Sequence, residues 1–80
     1  MGDLRQCFLG NIPIYMEEDD VLAHIEERGF DKPLKVKMGD GKGENKQLRW
    51  GIATFKKPES RQRLEETGLK WPNGKYALIK

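Results

Sequence analysis

Cysteine is nearly missing from this chain: Cys7 is the only one in 80 residues. No internal disulfide can form, and a reducing compartment, nucleus or cytoplasm, is the natural setting. Histidine is equally scarce. His24 stands alone, with no second ligand at metal-binding spacing and no serine–histidine–carboxylate or paired-carboxylate arrangement around it. The expectation is therefore no catalysis, no metal and no cofactor. No apolar run approaches the roughly 18 residues that a membrane span needs. Met1-Gly2 resembles the opening of a myristoylation signal, but that signal asks for Ser or Thr at the position held by Gln6. Internal repeats, low-complexity tracts and linkers are also missing, so residues 1–80 read as a single domain, expected to be monomeric.

Charge is plentiful but unevenly placed. The net charge is only +2, which selects no partner by itself. Residues 1–31 hold eight acids against Arg5 and Arg28, whereas residues 32–80 hold thirteen lysines and arginines against five acids. Such a split gives one domain a basic working surface and an acidic back. A chain this short buries only about 60–65% of its unfolded surface, so it has few large apolar residues to spare for display.

Arg5 to Gly10 (RQCFLG) reads as a strand, with Cys7 and Leu9 on one side and Phe8 and Gly10 on the other. Asn11-Ile12-Pro13 is expected to end it, because Pro13 lacks the amide hydrogen a ladder needs. Glu17 to Arg28 reads as a helix: Val21, Leu22 and Ile25 make its apolar stripe, acids load its first turns, and Gly29 closes it. Leu34 to Met38 alternates strictly, which sends Leu34, Val36 and Met38 to the core and leaves Lys35 and Lys37 together on the other face. Gly39 to Gln47 is a polar hairpin connection carrying Lys42 and Lys46; its lysine spacing does not fit a phosphate-binding loop. Leu48 to Phe55 is the central strand. Leu48, Trp50, Ile52 and Thr54 share one face, and Arg49, Gly51, Ala53 and Phe55 share the other. Pro58 starts a second helix that Gly68 ends, with Leu64 its one large apolar residue. Pro72-Asn73-Gly74 is a turn, and Lys75 to Lys80 a last strand.

Strand, helix, strand, strand, helix, strand in this length implies an α+β fold of the ferredoxin-like split βαβ (βαββαβ) type: a four-stranded antiparallel sheet with both helices on one face. The other face is then open. Alternation assigns it Phe8, Lys35, Lys37, Trp50, Ile52, Thr54, Tyr76, Leu78 and Lys80. Aromatic rings interleaved with lysines suit single-stranded nucleic acid, rings for bases and ammonium groups for phosphates.

These residues resemble the RNA recognition motif. Cys7-Phe8-Leu9-Gly10-Asn11-Ile12 looks like the family's first-strand hexamer (aliphatic, aromatic, aliphatic, any, Asn, Leu), and Leu48 to Phe55 lies over its third-strand octamer. By position, the resemblance implies that Phe8 stacks under one base and Trp50 packs on a neighbour. It also places Ile52 where the family usually has a second stacking ring, Leu48 where it has a phosphate-binding cation, and Arg49 where it has glycine. The octamer is thus degenerate. The implied function is binding of short single-stranded RNA, as a module of a larger RNA-processing or RNA-regulatory protein. Its contacts would come from Phe8, Trp50, Ile52, Tyr76 and Leu78 with Lys35, Lys37, Lys42, Lys46, Arg49 and Lys80. The alternative is a protein partner on the helical face. Some relatives with degenerate octamers bind peptides through an acidic first helix, for which Glu18, Asp19, Glu26 and Glu27 qualify, although Lys70-Trp71-Pro72 only approximates the signature they carry before the last strand.

Overall fold

In a computed structural model, which describes residues 3–40 and 48–80, the elements run β1 (Gln6–Pro13), α1 (Glu18–Glu27), β2 (Lys35–Asp40), β3 (Leu48–Thr54), α2 (Pro58–Thr67) and β4 (Leu78–Ile79). The strands form one sheet in the order β2-β3-β1-β4, and every pairing is antiparallel. The chain is therefore α+β, with a four-stranded antiparallel sheet and two helices. Lys42 and Lys46 lie outside the described residues.

Burial follows the alternation. Cys7 and Leu9 of β1, Val36 of β2 and Ala53 of β3 join Val21 and Ile25 of α1 and Leu64 of α2 in one buried cluster. Both helices thus draw their apolar residues to the same side of the sheet. Gly51 fits there because a β-carbon would stand 2.8 Å from Val36 Cγ1.

β1 does not stop at Gly10 as expected. Leu9 pairs with Gly51 and Ile12 with Arg49, so Gly10 and Asn11 together face Trp50, two residues against one. This bulge has a purpose in the packing. In an unbroken strand Ile12 would share the face of Phe8; the extra residue turns it inward, where it is fully buried. Asn11 takes the left-handed backbone (φ 61) that the bulge requires, and its Nδ2 donates to the Tyr76 carbonyl at 3.1 Å. The Gly10 carbonyl accepts from Trp71 Nε1 at 3.0 Å. Pro13 then closes the strand opposite Leu48.

The helix ends follow the sequence chemistry. The Glu17 amide donates to Asp20 Oδ2 at 2.9 Å at the start of α1. At its end, Gly29 (φ 90) and Phe30 donate to the Glu26 and Ile25 carbonyls, a Schellman arrangement that seats Phe30 in the core. The poorly amphipathic α2 is tied down by polar contacts instead. Ser60 is buried and donates to Asp31 Oδ2 at 2.6 Å, while Arg63 donates to the Gly29 carbonyl and lies over the Phe30 ring, 5.3 Å from its centroid.

Two further expectations change. Leu34 is 60% exposed rather than a core residue, because β2 begins one residue later and the Leu34 amide turns to the Thr54 carbonyl. The last strand is only Leu78–Ile79, preceded by an isolated bridge between Lys70 and Tyr76. Pro72-Asn73-Gly74 makes the turn expected of it, with the Gly74 amide donating to the Trp71 carbonyl.

Candidate nucleic-acid interface

The face of the sheet away from the helices is organised in rows that cross the strands. The central row reads Lys80, Phe8, Ile52, Lys37 from β4 to β2. Phe8 and Lys80 exchange backbone hydrogen bonds of 2.9 and 3.1 Å, Phe8 pairs with Ile52, and Ile52 with Lys37. An apolar centre is thus bracketed by an ammonium on each side. Above it, Leu78 stands by Gly10, and Trp50 by Gly39. Below it run Gln6, Thr54 and Lys35. Successive rows are about 7 Å apart, two residues along a strand.

The two aromatic rings meet between rows. The Phe8 and Trp50 centroids lie 6.2 Å apart with 18° between the ring planes, within the range of offset stacking. Both residues are half-buried. The position of the indole explains Gly39. A β-carbon there would lie 2.2 Å from Trp50 Cζ2, so the ring rests across the β2 backbone where only glycine leaves room. Gly10 plays a similar part between Phe8 and Leu78: its missing β-carbon would meet Phe8 Cε1 at 3.1 Å and Leu78 Cβ at 3.0 Å.

Of the residues expected at this interface, the structure gathers Phe8, Trp50, Ile52, Lys35, Lys37, Leu78 and Lys80. Lys35, Lys37, Leu78 and Lys80 are exposed. No carboxylate among the described residues is within ion-pair distance of Lys35 or Lys37. Arg49 belongs elsewhere. It shares the face of Gly51 and Ala53, its side chain is only 14% exposed, and Nη1 donates to the Met16 carbonyl at 2.9 Å and approaches Glu17 Oε2 at 3.2 Å. The alternation of β3 already assigned it that side, and the bulge in β1 does not bring it back. Tyr76 is also displaced. It is 65% exposed, but its ring lies under Lys70 Nζ, 5.7 Å away, in a concavity shared with Arg28, Phe30, Thr67 and Gly68 beside the helices. The cause is the bridge to Lys70, which replaces the strand on which the alternation was projected.

Gln6 and Gly39 went unnoticed as parts of this surface. Period-two alternation traced back from Phe8 reaches Gln6, whose Nε2 donates to Thr54 Oγ1 at 3.3 Å and covers that threonine. Gly39 carried no such signal, since its role is defined by a ring eleven residues away.

The chain matches no protein-family model, no curated protein and no solved structure.

Chemically, this face offers apolar and aromatic contact with cations at its margins. No group of three or more potential metal ligands occurs among the described residues. Cys7 is fully buried on the opposite side of the sheet, and burial pushes its thiol up to about 11, which disfavours the nucleophilic thiolate. No described helix is long and apolar enough to cross a membrane.

Proposed function

We propose that the chain binds short single-stranded RNA on the open face of its sheet, as a ferredoxin-like domain of the RNA recognition motif type. The carrying observation is the Phe8–Trp50 pair, half-exposed and at stacking distance, with Lys37 and Lys80 flanking the same surface. Bases are recognised in single strands by stacking on rings and through their edges, while the phosphates meet cations. Ile52, in the row between the two ammonium groups, contributes apolar contact without stacking. Affinity therefore rests on two rings rather than three. In this reading the domain serves a larger RNA-processing or RNA-regulatory protein of the nucleus or cytoplasm.

The test is fluorescence anisotropy with short RNA oligomers against Phe8→Ala and Trp50→Ala. Each substitution removes one stacking platform worth about 1–3 kcal/mol, so affinity should fall at least about 5-fold. Unchanged binding in both variants would refute the reading.

A second reading, a peptide partner on the helical face, is favoured by one observation. Tyr15, Met16, Ala23, His24 and Pro72 line a concavity of about 410 Å³ whose acidic members are Asp20 and Glu27. Ile14 is exposed nearby in sequence. A peptide that perturbs α1 resonances, with no RNA effect on the sheet, would establish this reading in place of the first.

A further inference from the structure

We propose that Trp71 and His24, on the helix side of the sheet, are positioning residues for the Phe8 platform on the open side. The inference rests on the RNA reading above and names what seats one of its two rings. The Phe8 backbone is fixed by its two bonds with Lys80 and its pairing with Ile52. The tilt of the ring depends on what lies beneath it, and that is Gly10: a β-carbon there would stand 3.1 Å from Phe8 Cε1. Gly10 opens the bulge, where the ladder between β1 and β3 is interrupted. The hairpin between Leu69 and Ala77 fastens both bulged residues. Trp71 Nε1 donates to the Gly10 carbonyl at 3.0 Å, and Asn11 Nδ2 donates to the Tyr76 carbonyl at 3.1 Å.

The hairpin is closed on itself. The Ala77 amide donates to the Leu69 carbonyl at 2.7 Å, and the Trp71 amide to the Lys75 carbonyl at 2.8 Å. His24 joins it to α1: its Nε2 donates to the Lys70 carbonyl at 2.7 Å, and its ring lies 5.5 Å from the Trp71 ring at 31°. Trp71 is only 2% exposed and belongs to the buried cluster, so burial accounts for its carbon skeleton. Burial leaves the direction of the N–H open, since a buried indole needs an acceptor but not a particular one. The acceptor it has is the backbone on which an RNA-facing ring rests. Contacts therefore run from α1 through His24, Trp71 and Gly10 to Phe8. Loosening them on the helix side tilts Phe8 out of the 18° it makes with Trp50.

A chain of contacts shows coupling only when a double-mutant cycle measures it. The experiment follows anisotropy of labelled hexauridine and hexaadenosine with the wild-type chain, Trp71→Phe, His24→Ala and His24→Gln, at a temperature where thermal unfolding shows each variant folded. A seated platform is worth about 5- to 150-fold in affinity, and tilting it forfeits part of that. Trp71→Phe and His24→Ala should each weaken binding at least about 3-fold. His24→Gln, whose amide nitrogen can still donate to the Lys70 carbonyl, should recover most of the His24→Ala loss. In a Phe8→Ala background, Trp71→Phe and His24→Ala should cost nothing further, which separates seating of the ring from general loosening of the fold. Wild-type affinity in either variant, with Phe8→Ala still weakening binding, overturns the positioning and leaves the stacking reading intact. A loss that persists in full without Phe8 overturns it too, as does a His24→Gln that binds no better than His24→Ala. Should Trp71→Phe not fold, the half-exposed His24→Ala decides alone. Failure of the wild-type chain to bind either hexamer removes the positioning and the RNA reading together.

Discussion

Gly39→Ala perturbs the ring pair without deleting either ring. The new methyl would lie 2.2 Å from Trp50 Cζ2, whereas ordinary contact begins near 3.4 Å. The indole must therefore withdraw by about 1.2 Å, and its 6.2 Å, 18° register with Phe8 is lost. Two effects on stability oppose each other: removing glycine from a strand contributes about 0.5–1 kcal/mol, and the broken aromatic pair costs about 0.5–1.5 kcal/mol. The midpoint of urea unfolding should hardly move. Binding has no such compensation. A displaced Trp50 forfeits a platform worth about 1–3 kcal/mol, a loss of about 5- to 150-fold in RNA affinity. Anisotropy with a labelled hexamer measures it, and a double-mutant cycle tests its cause. In a Trp50→Ala background, Gly39→Ala should cost nothing further. Wild-type affinity in Gly39→Ala, or a full additional loss in the double variant, would refute the coupling between Gly39 and the ring.

Trp71→Phe should retain the packing but remove the indole N–H that reaches the Gly10 carbonyl, costing about 0.5–1.5 kcal/mol in chemical denaturation; no change would show that the bulge does not need this donor. Gly29→Ala should destabilise by about 1–2 kcal/mol because φ there is 90°, and a stabilised variant would contradict the observed end of α1. Cys7 should resist thiol reagents at pH 8. Its raised pKa, about 11, keeps the neutral thiol dominant until pH approaches that value, and labelling should track unfolding; rapid labelling of folded protein would refute its burial. RNA affinity should fall with salt at a log–log slope of about −0.7 for each phosphate neutralised, and a flat response would exclude Lys35, Lys37 and Lys80 as phosphate contacts.

The elements were legible where local chemistry decides them. Period two marked Phe8, Trp50, Ile52 and the β2 lysines as co-facial, and Gly29, Pro58 and Gly68 marked helix ends, because each obeys a rule confined to a few neighbouring residues. What escaped depends on partners distant in sequence. Ile12 turns inward only through a bulge that Trp71 and Tyr76 help to satisfy from more than sixty residues away. Leu34 looked like core because alternation cannot say where a strand begins. Tyr76 was projected along a strand that the Lys70 bridge cuts short. Gly39 looked like loop until the indole beside it was placed.

The most direct measurement is a titration of the isotopically labelled chain with short single-stranded RNA, followed by NMR. The account predicts that the largest shifts fall on Phe8, Ile52, Lys37 and the Trp50 indole N–H, while the Trp71 indole and α1 stay still. Shifts confined to α1 and the Tyr15–Pro72 side, or none on the sheet at saturating RNA, would contradict it.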